Sequence, residues 1–330
     1  MSMIRPTTWR KLWEGTDQRQ RGVLRRRLSR LILPLVLVVW LVFLSVKSPV
    51  FLTSQNLFNV TRQVAVVGIL SLGQLLCLLT GNIDLSIGSF LGLFGAILAG
   101  LSLGLGLGPA IALALLMAVV WGLTNGLLVS RGRGISVIIT LSTMYIARGI
   151  TLIYTDGHPI INFAMPYEFL GAGNIGPVPW SLVTFASVAI IIGFILRFAG
   201  VGRHLYAVGG NRDAARVCGI NITKITIGVF ISSALLTALA SIVLLGRVAS
   251  AQPNAGLGME LDSIAAVLIG GASVSGGAGG VIGTLIGVFM LGFINNGLNL
   301  LGVSGFYQYV FKGMIILLAV LVDALQRRNA

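Results

Sequence analysis

The 330-residue chain is apolar and basic, with 56% hydrophobic residues, 10% charged residues and a formal net charge of +14. A soluble domain usually carries about 25% charged residues, so a purely soluble fold is excluded. The charge does not favour a nucleic-acid partner, because nine of the 23 Lys and Arg residues lie before residue 31, directly ahead of an apolar segment. Such a basic stretch is typical of a cytoplasmic anchor on anionic membrane lipid.

Apolar segments long enough to cross a bilayer follow one another along the chain. They are too long and too uniformly apolar for barrel strands, so the sequence predicts an all-α polytopic membrane protein with about ten transmembrane helices. The predicted spans cover residues 31–46, 63–79, 85–107, 109–129, 135–154, 181–198, 225–245, 263–272, 281–298 and 306–322. Residues 47–51 lack a signal-peptide cleavage pattern, so we expect the first span to remain as an anchor.

The distribution of cations predicts the orientation of these spans. With a cytoplasmic amino terminus, eighteen of the 23 Lys and Arg residues fall on the cytoplasmic side, as the positive-inside rule requires. Both termini are then cytoplasmic, and residues 155–180 form an external loop that is either a docking surface or a plain connector. Residues 263–272 form the weakest span, about 15 Å long, and a re-entrant half-helix is the alternative there. The domains expected are a basic segment (1–30), a transmembrane domain (31–326) and a cytoplasmic tail (327–330).

A short polar sequence interrupts the long apolar run between residues 63 and 107. It contains Asn82, Asp84 and Ser86. Asn82 or Asp84 can accept hydrogen bonds from the free amides that open the next helix, where the helix dipole also favours a carboxylate. The break is therefore either a capped turn or the polar lining of a solute path built by discontinuous helices.

The sequence of residues 210–220 predicts a short capped helix in the basic segment between the sixth and seventh spans. Asn211 suits the N-cap position, Asp213 lies in the first turn where negative charge is favoured, and Gly219 suits the left-handed residue that ends a helix. Such a helix is either a lever that contacts a soluble partner or an ordinary surface helix.

Polar residues in and beside the later spans are further candidates for a solute path. Glu260 and Asp262 precede the short span, where acids are costly unless they cap a helix or face a polar cavity. Lys312 lies about two turns into the last span, and its side chain can either snorkel outward or face the path. The asparagines of this region can bond another helix or the hydroxyl groups of a sugar; they are Asn295, Asn296 and Asn299.

No motif in the sequence supports enzyme chemistry, a metal site or a cofactor on this chain. The glycine-rich residues 273–280 are not followed by the Gly-Lys-Ser or Gly-Lys-Thr ending of a phosphate loop. The two histidines, His158 and His204, fall on opposite sides of the membrane in the predicted topology. Cys77 and Cys218 have no metal-ligand spacing and form no disulfide framework.

Several long motifs, in a fixed order, resemble the permease subunits of ribose-type ABC importers, a family that includes xylose, arabinose, galactose and autoinducer-2 systems. The motifs are GNIDLSIGS at 81–89, GRHLYAVGGNRDAARVCGI at 202–220, LDSIAAVLIGGASVSGGAGGVIGT at 261–284, NNGLNLLGV at 295–303 and FKGMIILLAVLVD at 311–323. The similarity covers most of residues 30–326, whereas the first 30 residues match no family pattern.

The resemblance implies an ABC importer permease bundle in the bacterial cytoplasmic membrane that carries a monosaccharide or a related small polar solute by alternating access. It also implies a second permease copy or paralogue, two cytoplasmic ABC ATPases that bind ATP and Mg, and a periplasmic sugar-binding protein. The segment that contacts the ATPase in this family corresponds to Gly210, Asn211, Arg212, Asp213, Ala214, Ala215, Gly219 and Ile220.

An ion-coupled secondary carrier for a small polar solute is the alternative function. Such a carrier needs buried acids that bind protons or sodium, and Asp84 and Asp262 are the acids near enough to the spans. For an importer, the residues predicted to line the translocation path are Asn82, Asp84, Ser86, Asp262, Asn295, Asn296 and Lys312.

Overall fold

The computed structural model describes residue 35 and residues 37–132, 135–161 and 168–328. The basic segment 1–30 lies outside the described residues, and the described chain divides into two units at Pro49 and Val50. The helices are α1 (Leu37–Lys47), α2 (Ser54–Leu79), α3 (Ile87–Leu105), α4 (Leu107–Arg131), α5 (Ser136–Thr155), α6 (Glu168–Gly171), α7 (Trp180–Phe198), α8 (Gly200–Gly210), α9 (Arg212–Val217), α10 (Ile222–Val248), α11 (Met259–Ile269), α12 (Val281–Leu300) and α13 (Gly305–Arg328). Strands β1 (Asn174–Ile175) and β2 (Val178–Pro179) form an antiparallel hairpin between α6 and α7.

Seven helices in the described part of the chain are long and apolar enough to cross a membrane: α2, α3, α4, α5, α7, α10 and α12. The helical, multi-span architecture is therefore confirmed, whereas the count of about ten spans is not. The predicted span at residues 263–272 corresponds to α11, which has 11 residues. At 1.5 Å per residue α11 is about 16 Å long, roughly half of a bilayer core, so this helix alone does not cross.

Helix α2 forms the centre of the unit that begins at Val50. It packs against α7, α10, α11 and α12, and most of its residues are buried. By contrast, α4, α5 and α7 leave many large apolar side chains exposed, among them Leu116, Ile153 and Ile190. In a bilayer such side chains face acyl chains, so the exposed apolar surface of these helices is the expected lipid-facing surface.

Glycines bring neighbouring helices into backbone contact. A Cβ atom placed on Gly122 would lie 2.5 Å from the Cα atom of Ile231, and one on Gly126 would lie 2.7 Å from the Cα atom of Ile227. Helix α4 therefore lies directly on the backbone of α10. Small residues spaced four apart allow such close approach between membrane helices, because no side chain separates the two backbones.

The helices α2 and α11 end with the same capping geometry. The amides of Gly81 and Asn82 donate to carbonyls of the last turn of α2 at 2.9 and 3.0 Å, and those of Gly271 and Ala272 do the same for α11 at 2.9 and 3.1 Å. Gly81 and Gly271 have φ values of 71° and 85°, which glycine adopts without a steric penalty. Each cap ends one helix, and the chain then turns back into the bundle.

The break after α2 reaches the middle of the bundle before α3 begins. The side chain of Asp84 accepts a hydrogen bond from Ser233 in α10. Helix α10 is about 40 Å long, and Ser233 lies about 17 Å from its first residue. Helix α11 also begins at this depth, because Glu260 in its first turn contacts Gly88 in the first turn of α3. Residues 249–258 are largely non-helical and lead from the far end of α10 to this point. The predicted span at residues 263–272 is thus a short helix that follows a largely non-helical segment.

We expect the substitution Gly122→Ala to lower the free energy of unfolding by about 1–3 kcal/mol, because the new methyl group would overlap the backbone of Ile231. Gly228→Ala in α10 is the matched control, since no atom beyond the adjoining backbone of α10 itself lies within 4 Å of a Cβ atom there. Thermal unfolding in detergent measures both variants. Equal melting temperatures would contradict the close packing of α4 on α10.

Candidate functional site

The carboxylate of Asp84 is the centre of a hydrogen-bonded network in the middle of the bundle. Its Oδ1 atom accepts from the amide and the hydroxyl of Ser86 at 3.0 and 2.7 Å, and its Oδ2 atom accepts from the hydroxyl of Ser233 at 3.0 Å. The Ser86 hydroxyl accepts in turn from Asn125 Nδ2 at 2.9 Å and Trp121 Nε1 at 3.3 Å. The network therefore joins the start of α3 to α4 and α10.

The three path residues predicted in the break are all buried. Asn82, Asp84 and Ser86 have exposed fractions of 0, 2 and 1%. Asp84 accepts from a free amide ahead of α3, as a capping residue does, whereas the Asn82 oxygen accepts from Arg212 instead. In this conformation the break is a closed, internally bonded turn, and a solute has no direct access to these side chains.

The short capped helix predicted at residues 210–220 is formed by α9. The Asn211 side chain accepts a hydrogen bond from the amide of Ala214 at 2.9 Å, and Asp213 lies in the first turn. Gly219 has a φ value of 82°, and the amide of Ile220 donates to the carbonyl of Ala215 at 3.0 Å. The local sequence therefore specifies both ends of this helix.

Helix α9 has one face against the bundle and one face open. Ala215 is buried, with 4% exposure, whereas Val217 has 88% of its surface exposed. The side chains of Asp213 and Arg216 are also exposed and lie 3.5 Å apart. The open face of α9 therefore carries one exposed apolar side chain and two exposed charged ones.

The glycine-rich loop between α11 and α12 packs against the ends of α2 and α8. The amide of Gly277 donates to the carbonyl of Leu79 at 3.0 Å, and a Cβ atom on Gly276 would lie 2.8 Å from the amide nitrogen of Gly81. The Tyr206 hydroxyl donates to the carbonyl of Gly279 at 3.0 Å, and burial raises the pKa of Tyr206. The loop is a packing element between backbones and not a phosphate loop.

The predicted path residues Asp262 and Lys312 form an ion pair. Lys312 Nζ lies 2.8 Å from Asp262 Oδ2, and the two side chains are 28 and 16% exposed. The ammonium group of Lys312 therefore has a specific partner on α11 and does not need to reach the membrane surface. The pair ties α13 to the first turn of α11, where the helix dipole favours the negative charge of Asp262.

The asparagines of α12 have separate surroundings. Asn296 and Asn56 exchange two side-chain hydrogen bonds, at 3.0 and 2.8 Å, which join α12 to the start of α2. Asn299 accepts from Gln308 Nε2 at 2.8 Å, and Asn295 is half-buried. The contact of Asn296 is thus between helices, which is one of the two roles that the sequence left open.

Several polar partners on other helices were not predicted from the sequence. Arg148 Nη1 donates to the carbonyls of Pro253 and Ala255 at 2.7 and 3.3 Å, which holds the non-helical segment before α11. Ser233 and Asn125, which complete the Asp84 network, are polar residues inside apolar spans. Their position inside apolar spans could have marked them as members of a polar contact, because polar side chains in membrane helices usually have a partner.

A cavity of about 280 Å³ lies between α3, α10 and the segment before α11. Its lining is mostly apolar and includes Leu91, Ser241 and Gln252. The residues predicted to line the translocation path are not among those that surround this cavity. The structure therefore brings Asn82, Asp84 and Ser86 together at one place and Asp262 and Lys312 at another, with Asn296 bonded separately to α2.

We expect Asp84→Ala to lower the free energy of unfolding by about 2–4 kcal/mol, because the hydroxyls of Ser86 and Ser233 would lose their buried acceptor. Asp84→Asn is the matched control, since its amide oxygen can still accept from Ser86. We expect this variant to unfold much closer to the wild-type temperature. Thermal unfolding in detergent measures both, and a stable Asp84→Ala variant would show that the network contributes little to the fold.

Comparison with known proteins gives the same family over most of the chain. A family model described as "Branched-chain amino acid transport system / permease component" matches residues 56–320. The ribose import permease protein RbsC of Bacillus subtilis is 44% identical over 290 residues, which cover 87% of this chain and 90% of the relative. The protein of the same name from Escherichia coli K12 is also 44% identical, over 88 and 92% of the two chains.

A more distant relative is named for a different sugar. The L-arabinose ABC transporter permease protein AraH of Azospirillum brasilense is 32% identical over 94% of this chain and 92% of the relative. No solved structure matches the chain. The extent of the family match and the identity to these relatives show that the chain belongs to the family of permease components of binding-protein-dependent ABC importers.

Proposed function

We propose that this chain is the transmembrane permease subunit of an ATP-binding-cassette importer that carries a monosaccharide across the bacterial cytoplasmic membrane. The observation that carries the proposal is the 44% identity to ribose import permeases over about nine tenths of both chains. Relatives named for ribose, arabinose, allose and xylose support a pentose or a similar sugar as the solute. The family description names branched-chain amino acids, but these more similar sequences favour a sugar.

The open face of α9 is the proposed contact with a cytoplasmic ABC ATPase. It presents Asp213, Ala214, Arg216 and Val217, and the caps at both ends give the helix a defined shape. We propose that ATP and Mg bind the ATPase and that hydrolysis occurs there. The coupling segment comprises Gly210, Asn211, Arg212, Asp213, Ala214, Ala215, Gly219 and Ile220, of which Ala215 contributes through its contact with the bundle.

The translocation path is proposed to open between the broken helices during alternating access. Discontinuous membrane helices place helix ends and unpaired polar groups at mid-depth, where a hydrophilic solute needs partners. Both α3 and α11 begin in the middle of the bundle, beside Asp84 and Glu260. The conformation described has the break closed, so Asn82, Asp84 and Ser86 would reach solute only after a rearrangement. The other proposed path residues differ in burial: Asn296 is buried, whereas Asp262, Asn295 and Lys312 are partly exposed.

The proposed assembly is a dimer of this permease or a pair with a paralogue, two ATPases and a periplasmic sugar-binding protein. Family membership supports the ATPase and the binding protein as partners. The apolar exposed surfaces of α4, α5 and α7 supply area for lipid and for a second permease. We propose that both termini are cytoplasmic and that the β1–β2 hairpin is periplasmic.

Family membership supports the importer over an ion-coupled carrier. The surroundings of the two candidate acids agree with this choice. Asp84 accepts three hydrogen bonds from serines, and Asp262 is paired with Lys312. Both carboxylates therefore have stabilising partners within the protein itself.

The function is tested with the permease, its cognate ATPase and its binding protein in proteoliposomes. We expect radiolabelled ribose to accumulate when ATP is present and to accumulate at the same rate when the proton and sodium gradients are dissipated. Uptake without ATP that stops when an ion gradient is dissipated would contradict the proposal and favour the carrier.

The substitution Gly219→Val links this uptake to α9. Valine is strained at a φ value of 82°, so we expect the helix end to distort and ATP-dependent uptake to fall at least tenfold. Gly200→Val at the start of α8 is the control, because its backbone is not left-handed and space is available there. Unchanged uptake by Gly219→Val would indicate that α9 is an ordinary surface helix.

Cysteine labelling tests the proposed orientation. Native Cys218 is exposed beside α9, whereas Cys77 is buried, and Ile175 in β1 is 44% exposed. With a membrane-impermeant maleimide, we expect Ile175→Cys to react in intact cells and Cys218 to react only after permeabilisation. Reaction of both cysteines from the same side would contradict the topology.

A further inference from the structure

Arg212 differs from the other charged residues of α9 because its guanidinium group faces the bundle. Its Nη2 atom donates to the carbonyl of Thr80 at 3.1 Å and to Asn82 Oδ1 at 3.0 Å. Asp213 and Arg216, by contrast, have side chains that are 92 and 71% exposed and contact each other. The first residue of the proposed coupling helix is therefore bonded directly to the polar break after α2.

The two acceptors of Arg212 belong to one tightly bonded turn. Thr80 is the C-cap of α2, where unpaired carbonyls and the helix dipole favour a cation. Asn82 is fully buried, and its Nδ2 atom donates to Thr80 Oγ1 at 2.9 Å. This bond leaves the Asn82 oxygen facing Arg212. A displacement of the guanidinium group therefore acts on the whole turn.

The same turn continues into the network of Asp84. Asp84 lies two positions after Asn82 in the chain, and its carboxylate holds Ser86 ahead of α3 and Ser233 in the middle of α10. The hydrogen bonds of Arg212 with residues 80 and 82, the backbone from residue 82 to 84 and the hydrogen bonds of Asp84 thus connect α9 to the start of α3. The backbone contacts of Gly209 and Gly277 with Leu79 lie beside it and join the glycine-rich loop to the same helix end.

We infer that Arg212 is a positioning residue that transmits movements of α9 to the break at residues 80–86 and so to the two helices that start or pass there. The inference rests on the proposed function, because an ATPase must act on α9 for the contact to transmit anything. It assigns Arg212 a role different from that of the exposed α9 residues, which contact the ATPase.

The test measures ribose molecules transported per ATP hydrolysed by the reconstituted complex. Arg212→Met keeps an unbranched apolar stem and removes the donors, and Arg203→Met makes the same change at an exposed residue of α8 outside the proposed ATPase contact. We expect Arg212→Met to lower the ratio about tenfold, which corresponds to about 1.4 kcal/mol, within the range for hydrogen bonds to charged groups. Arg203→Met should keep the wild-type ratio, since Arg203 belongs neither to that contact nor to the turn after α2. Arg212→Lys, which retains a cationic donor, should recover at least half of the ratio.

Asn82→Ala removes the acceptor of the Arg212 hydrogen bond and provides the test if Arg212→Met does not fold. We expect it to lower the transport ratio, and the double variant to have the ratio of Arg212→Met alone, because both changes remove one connection. A wild-type ratio for both single variants, or effects that multiply in the double variant, would overturn the inference while the proposed function stands. A wild-type complex without ATP-dependent uptake would overturn the proposed function itself.

Discussion

The need to satisfy backbone and side-chain polar groups away from water constrains the structure most strongly. A break in a membrane helix leaves amides and carbonyls that lipid cannot bond, so it is stable only where the protein supplies partners. The turn after α2 meets this requirement with the Gly81 and Asn82 amides, the Asp84 carboxylate and the Arg212 guanidinium. The positions of α3, α9 and α10 are all related to this one turn.

The second break, after α11, is stabilised in a similar way but by fewer side chains. Gly271 ends α11 with the backbone geometry of Gly81, and the loop after it packs by direct backbone contact and by the hydrogen bond of the Tyr206 hydroxyl to the Gly279 carbonyl. Glycine is required there because a Cβ atom on Gly276 or Gly277 would lie 2.8–2.9 Å from a neighbouring backbone atom. The ends of α2, α8 and α11 consequently meet at one junction, close to α9.

Under the proposed function, this junction would connect α9 to the helix ends inside the bundle. Helix α9 has two attachments there, the buried face at Ala215 and the contact of Arg212 with the break. The ion pair of Asp262 with Lys312 extends the connected region to α13 through α11.

The sequence by itself determined the local features of this protein. Long apolar runs predicted helical membrane spans, Asn211 and Gly219 predicted the ends of α9, and the polar residues at 80–86 predicted where α2 and α3 separate, because each depends on neighbouring residues. Only the tertiary structure decided that Asn82 binds Arg212, that Asp84 binds Ser233 and that Lys312 binds Asp262. It also decided that α11 is about half a span, joined to a non-helical segment. These contacts join residues 50–150 positions apart, and periodicity and capping rules contain no information about which distant helices become neighbours.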